Sequence, residues 1–110
     1  MQDTIRQLIE EVNHMNDIYE QVREYDEDKD FHKVVEPYVR HIDSLLDQLK
    51  PYEQSLIDTT YMNKPKLDLL IKNIEELSVE CHFKRTSRKL FTEKIKAVQY
   101  DLNNILNKHV

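Results

Sequence analysis

Residues 5–22 read IRQLIEEVNHMNDIYEQV. Ile5, Leu8, Val12, Met15, Tyr19 and Val22 recur at alternating steps of three and four residues, the spacing that lines one face of a 3.6-residue helix. Most of what lies between them is polar or charged. Such a helix offers one narrow seam for burial and gains its stability from neighbours that cover that seam. Asp3 or Thr4 is the expected N-terminal cap. On the other side, residues 24–30 read EYDEDKD, a cluster of like charge and cap-forming aspartates that suits a loop better than a helix interior.

Working outward, a second segment from about Phe31 to Ile57 presents Val34 or Val35, Tyr38, Ile42, Leu45, Leu49 and Leu56 at near-helical spacing. Pro37 falls in or just after its first turns. Pro51 lies well inside the pattern, where a missing N–H and a ring clash predict a kink near Asp47. Two shorter helices broken at Lys50-Pro51 are the alternative. Asp58 to Asn63 reads as a polar connection, with Asn63 capping a third helix whose early Pro65 removes an N–H that has no helical partner. That helix carries Leu67, Leu70, Ile71, Ile74, Leu77 and Cys81. A short connection around Lys84 to Thr86, with Thr86 or Ser87 as cap, leads into a fourth helix with Leu90, Phe91, Ile95, Val98, Leu102, Ile105 and Leu106. Four amphipathic helices, short connections and no strand-like alternation predict an all-α fold. The expected architecture is an antiparallel up-and-down four-helix bundle, formed as a single domain over residues 1–110 with its second helix kinked near Pro51.

Composition agrees and removes several chemistries. The 110-residue chain is 39% hydrophobic and 34% charged, a balance suited to thin helices with wide wet faces. It contains no glycine. The Walker loop, the dinucleotide fingerprint, the nucleophile elbow and the EF-hand loop each need glycine where backbone bends sharply or approaches a ligand, so all four are excluded. Positions requiring positive φ must fall to Asn or Asp. One cysteine, Cys81, cannot form an internal disulfide, and Met1-Gln2-Asp3-Thr4 lacks the order of a secretion signal, which makes the cytoplasm the expected compartment. No apolar run approaches membrane-spanning length, and a net charge of -5 gives no general attraction to anionic lipid or nucleic acid.

Bundle cores hold metal pairs when Glu-x-x-His recurs on two helices. Glu11 and His14 form one such pair, and no second is present. Cys81 and His82 are neighbours, but adjacent helical residues point about 100° apart, and Cys81 falls on the apolar stripe as a small core residue. Tyr19, Tyr38, Tyr52 and Phe91 fall at or near seam positions. Tyr25, Tyr61 and Phe83 lie near helix ends, where an amphipathic ring closes a bundle. No cofactor or catalytic residue is expected.

Charge is unevenly distributed. Residues 1–62 hold fifteen acidic against six basic side chains, while the remainder carries a net +4 with basic groups concentrated at Lys84, Arg85, Arg88 and Lys89. In an up-and-down bundle the first and third connections share one end, so the acidic Glu24, Asp26, Glu27, Asp28 and Asp30 should approach that basic turn. Either the two neutralise one another, or the basic group and the fourth helix's N–H groups take a phosphate or an acidic partner.

Asp30-Phe31, Glu36-Pro37, Asp43 with Leu45, Tyr61 with Lys64, Asn73 with Glu76-Leu77, the basic turn before Phe91, and Val98-x-Tyr100-x-Leu102 stand together in an order that resembles the YppE-like family of small bacillus-group proteins. The resemblance covers most of the chain from about Tyr25. It implies a four-helix bundle of cytoplasmic proteins without an established activity, cofactor or partner, and it carries over no functional residue. Pro51 departs from it, standing where an ordinary helical residue is expected. The expected function is a noncatalytic interaction or adaptor module working on a protein partner, as monomer or homodimer, without membrane or nucleic acid. The alternative is a small-ligand or metal-binding bundle anchored by Glu11, His14, His41 and His82.

Overall fold

In the computed structural model, which describes residues 1–59 and 62–108, α1 spans Gln2–Tyr25, α2 Glu36–Asp47, α3 Glu53–Thr59, α4 Lys64–Glu80 and α5 Arg88–Lys108. The bundle measures 43 × 26 × 22 Å. α1 packs on α5 and α2, and α4 packs on α5 and α2, so chain neighbours are also space neighbours around the bundle. Among the described residues no helix is long and apolar enough to cross a membrane. Tyr61, expected to close a helix end, lies outside the described residues.

The stripes form one core. Leu8, Val12 and Met15 of α1, Ile42 of α2, Leu56 of α3, Ile74 and Leu77 of α4 and Leu102 of α5 are fully buried in it. Several expectations are corrected at the edges. α1 begins at Gln2 with Met1 at its cap, and the Thr4 hydroxyl bonds Gln48 Oε1 at 3.0 Å rather than capping the helix. Glu24 still belongs to α1, which ends where Asp26 adopts φ 52°, the left-handed conformation, and donates its N–H to the Val22 carbonyl. In a chain without glycine, an aspartate supplies the helix stop. Val35, not Val34, is the buried valine. Tyr25 and Leu90 are 72% and 59% exposed, and Tyr52 is also exposed, so none of the three belongs to the core.

The second rod enters through a widened turn. Residues 31–35 bond i to i−5, with Val35 N–H on the Asp30 carbonyl and Glu36 N–H on the Phe31 carbonyl, while the Asp30 carboxylate caps Lys33 N–H at 2.8 Å. The wide turn accommodates Pro37, which has no N–H for the Lys33 carbonyl. Around Pro51 the rod is interrupted, as in the alternative reading of two shorter helices: α2 ends at Asp47 and α3 starts at Glu53. The last i−4 bond of α2 runs from Gln48 N–H to the Ser44 carbonyl, Pro51 has no N–H for the Asp47 carbonyl, and the chain tightens to i−3 bonds from Leu49 and Tyr52. Gln48 and Leu49 remain right-handed, so the rod changes pitch without reversing and Leu49 and Leu56 stay on the buried stripe. α4 and α5 start on the caps expected: the Asn63 carboxamide accepts Lys66 N–H at 2.9 Å, and the Ser87 hydroxyl accepts Leu90 N–H at 3.3 Å.

Candidate functional site

The two charged connections meet at one end of the bundle and clasp one another. Asp28 Oδ1 accepts the backbone N–H of Lys84 at 2.7 Å, and Lys29 N–H donates to the His82 carbonyl at 3.1 Å. Lys84 Nζ reaches the Asp26 carbonyl at 3.3 Å and its carboxylate at 3.5 Å. Tyr19 of α1 stacks on Phe91 of α5 with ring centroids 4.2 Å apart and donates its hydroxyl to the Thr86 carbonyl at 2.6 Å. Arg23 and Arg88 both lie over the Tyr19 ring. Arg88 also forks onto Glu20 at 2.7 and 3.3 Å, and this holds the Glu20 carboxyl below its usual range. Of the candidate basic group, Lys84 and Arg88 are therefore spent on internal ties. Of the acidic group, Asp26, Asp28 and Asp30 serve as helix stop, turn acceptor and cap. Among the described residues Glu24, Glu27, Arg85 and Lys89 make no ion pair and remain on the surface.

The four groups considered as polar anchors gather around Tyr38. Its hydroxyl donates to Glu11 Oε2 at 2.8 Å, His41 Nε2 lies 3.8 Å from Glu11 Oε1, and the rings of His14 and His82 stand edge-on to it at 6.1 and 5.3 Å. Burial first, and then the Glu11 carboxylate, push the Tyr38 phenol far above its ordinary range. His82 is 1% exposed, and among the described residues neither ring nitrogen has a hydrogen-bond partner. Burial, with Lys29 and His14 nearby, lowers its pKa to about 4. The Ser78 carbonyl favours the charged ring without reaching bonding geometry. Beside it the buried Cys81 thiol, pushed up to about 12 by burial, donates to the Ser78 carbonyl at 3.6 Å. Among the described residues no three His, Cys, Asp or Glu side chains converge as a metal site.

The seams between neighbouring helices differ in how they close. Tyr38 to Glu11 and Thr4 to Gln48 bridge α1 and α2. Arg88 to Glu20 and Gln99 to Asn13 bridge α1 and α5. Lys94 joins Glu76 at 2.6 Å and Glu80 at 2.7 Å across α4 and α5. Among the described residues no side-chain bond joins α2 to α4. A cleft of about 490 Å³ runs between them, lined by Val39, Asp43, Leu46, Asp47, Ile71, Glu75 and Val79. At Lys50 and Ile71 it meets a second cleft of about 390 Å³, which lies under the bend with Leu49, Leu56 and Leu67 in its wall.

Residues 5–109 match a bacterial domain of unknown function, DUF1798. The chain belongs to the DUF1798 family. A crystal structure of a DUF1798 protein from Staphylococcus aureus subsp. aureus superposes with TM-score 0.98 at 54% identity, covering 100% of this chain and 96% of that one. YppE from Bacillus subtilis superposes with TM-score 0.87 at 20% identity over 97% of this chain and 92% of its own, a likeness of fold. No curated protein matches this DUF1798 chain. The YppE-like resemblance of the scattered positions is thereby shown, and with it an all-α bundle whose function is unknown.

Two features of this DUF1798 bundle escape a reading of its sequence. His82 continues a row with Ile74 and Ser78 at four-residue steps, a periodic signal that its polar identity masks. Asp43 and Glu75 read as ordinary wet-face residues until α2 and α4 are known to be neighbours.

Proposed function

We propose that this DUF1798 chain is a noncatalytic, cytoplasmic protein-interaction module. The observation that carries the reading is the open α2–α4 seam, where partly uncovered Val39, Ile71 and Val79 lie beside the carboxylates of Asp43 and Glu75, which have no ion pair among the described residues. Apolar strips flanked by unpaired charge are what a recognition surface requires, because the strip supplies burial and the charges select the partner. The chemistry of the interior supports the same reading. A thiol raised to about 12 is not a nucleophile at neutral pH, and the charged end is stabilised by its own clasp rather than left open for a phosphate.

The test is a scan with a photo-crosslinking amino acid, placed singly at exposed positions on each helix in the native bacterial host at normal abundance. A discrete adduct to another protein from at least one face is expected. Failure of every position to yield a protein adduct would remove the reading.

A further inference from the structure

We infer that the α2–α4 seam is a docking groove for a cationic amphipathic helix of a partner protein, an inference that rests on the interaction reading above and names its partner class. The floor is apolar: Leu46 and Val39 from α2 face Ile71 and Val79 from α4, with Val79 37% exposed. The walls are acidic. Asp43 and Asp47 line one side, Glu75 and Asp68 the other, and Glu53 stands at the bend. Two lysines share the groove, and both are already engaged, Lys50 with Asp47 at 2.9 Å and Lys64 with Glu53 and Asp68. Among the described residues the carboxylates of Asp43 and Glu75 form no ion pair or hydrogen bond, although the Glu75 carbonyl accepts the Ser78 hydroxyl at 2.6 Å and its carboxylate acts on Lys50 at longer range. The groove therefore presents uncompensated negative charge above an apolar strip.

That combination selects the occupant. From Leu67 to Val79 α4 rises about 18 Å, or roughly three turns, which matches a helical segment of about a dozen residues. Such a segment would lay apolar side chains at i, i+3 and i+7 on Val39, Leu46 and Ile71 and set Lys or Arg against Asp43 and Glu75. An acidic partner would meet like charge on both walls. The other seams do not offer this. The α4–α5 seam, with a groove of similar size, already holds Lys94 between Glu76 and Glu80, so its cation is supplied from within.

The test uses the full chain and a fluorescein-labelled Leu/Lys peptide of about 14 residues, with Leu at helical spacing, followed by anisotropy. Two controls are a shuffled peptide of the same composition and a Leu/Glu peptide with the same stripe. The Leu/Lys helix is expected to bind saturably, and the shuffled and Leu/Glu peptides at least about tenfold more weakly. Asp43→Lys with Glu75→Lys should weaken Leu/Lys binding by at least about tenfold and improve Leu/Glu binding, whereas Lys89→Glu on the charged end should change it less than about twofold. All three positions are exposed, and far-UV circular dichroism confirms that the variants are folded. The milder Asp43→Asn with Glu75→Gln should fall between the wild type and the reversal. Equal binding to wild type and reversal variant, or equal binding of ordered and shuffled peptides, would overturn the groove. So would a self-association in sedimentation that Val79→Asp abolishes, because a second copy would then cover the seam. Photo-crosslinks confined to another face would also overturn the groove while leaving the interaction reading standing. An absence of crosslinks anywhere strikes the interaction reading itself.

Discussion

His82 is a buried imidazole whose two nitrogens have no partner among the described residues, and its cost depends on pH. Its folded pKa of about 4 lies below the ordinary 6.5. Above pH 6.5 both folded and unfolded chains carry it neutral. As pH falls from 6.5 toward 4 the unfolded chain takes up a proton that the folded chain refuses, so stability declines across that window. His82→Leu removes both the orphaned polar atoms and the proton linkage. Stability at pH 7 should be unchanged or raised by up to ~2 kcal/mol, and the loss between pH 6.5 and 4 should flatten, as read from urea midpoints at several pH values. A strongly destabilised His82→Leu protein would mean that the ring has a partner. At Asp26 the backbone argument is as local. Its φ of 52° costs a side-chain-bearing residue what glycine avoids, so Asp26→Gly should stabilise by ~0.5–1 kcal/mol and Asp26→Val should destabilise by at least as much, measured by thermal unfolding. The weak exposed pair with Lys84 changes that balance little.

At the scale of elements, the bend at Pro51 belongs to the proline if the missing N–H is its cause. Pro51→Ala restores a donor for the Asp47 carbonyl, so amides from Gln48 to Glu53 should exchange more slowly while global stability shifts by no more than ~1 kcal/mol. An unchanged exchange pattern would assign the bend to packing instead. The clasp gives a second expectation. Asp28→Ala frees the Lys84 N–H, and exchange should quicken across residues 82–86 with a loss of ~0.5–1.5 kcal/mol in denaturant titration. The helices were legible in the sequence because burial imposes a period, and most of the α1 and α4 stripes were read from it, although Ile18 and Ser78 are buried unannounced and Ile71 is only partly covered. The place of Leu90 was not legible: it adjoins Phe91 on the first turn of α5 and stays 59% exposed. Phe91 takes the core position, stacked on Tyr19. The meeting of the charged connections was legible from topology alone. Which charges pair and which stay free was not, since Arg88 reaches back to Glu20 on α1, outside either loop.

For the molecule as a whole, a net charge of -5 and a first half rich in carboxylates gain structural meaning once the helices are arranged. At the charged end Asp26, Asp28 and Asp30 are taken up by turns, a cap and Lys84, and between α4 and α5 Glu76 and Glu80 are taken up by Lys94. Between α2 and α4 the carboxylates of Asp43 and Glu75 are left without an ion pair among the described residues beside an apolar cleft, and no wet-face residue announces this in sequence because it depends on which helices become neighbours. We propose this seam, rather than the other three, as the place where a partner docks. Residue-resolved amide NMR of the full chain, titrated with the Leu/Lys helix, tests it most directly. Shifts are expected on residues 39–50 and 68–79, with α1 and the outer face of α5 unmoved. Shifts centred on the α4–α5 groove or on residues 84–89, or a uniform drift across all helices, would contradict it.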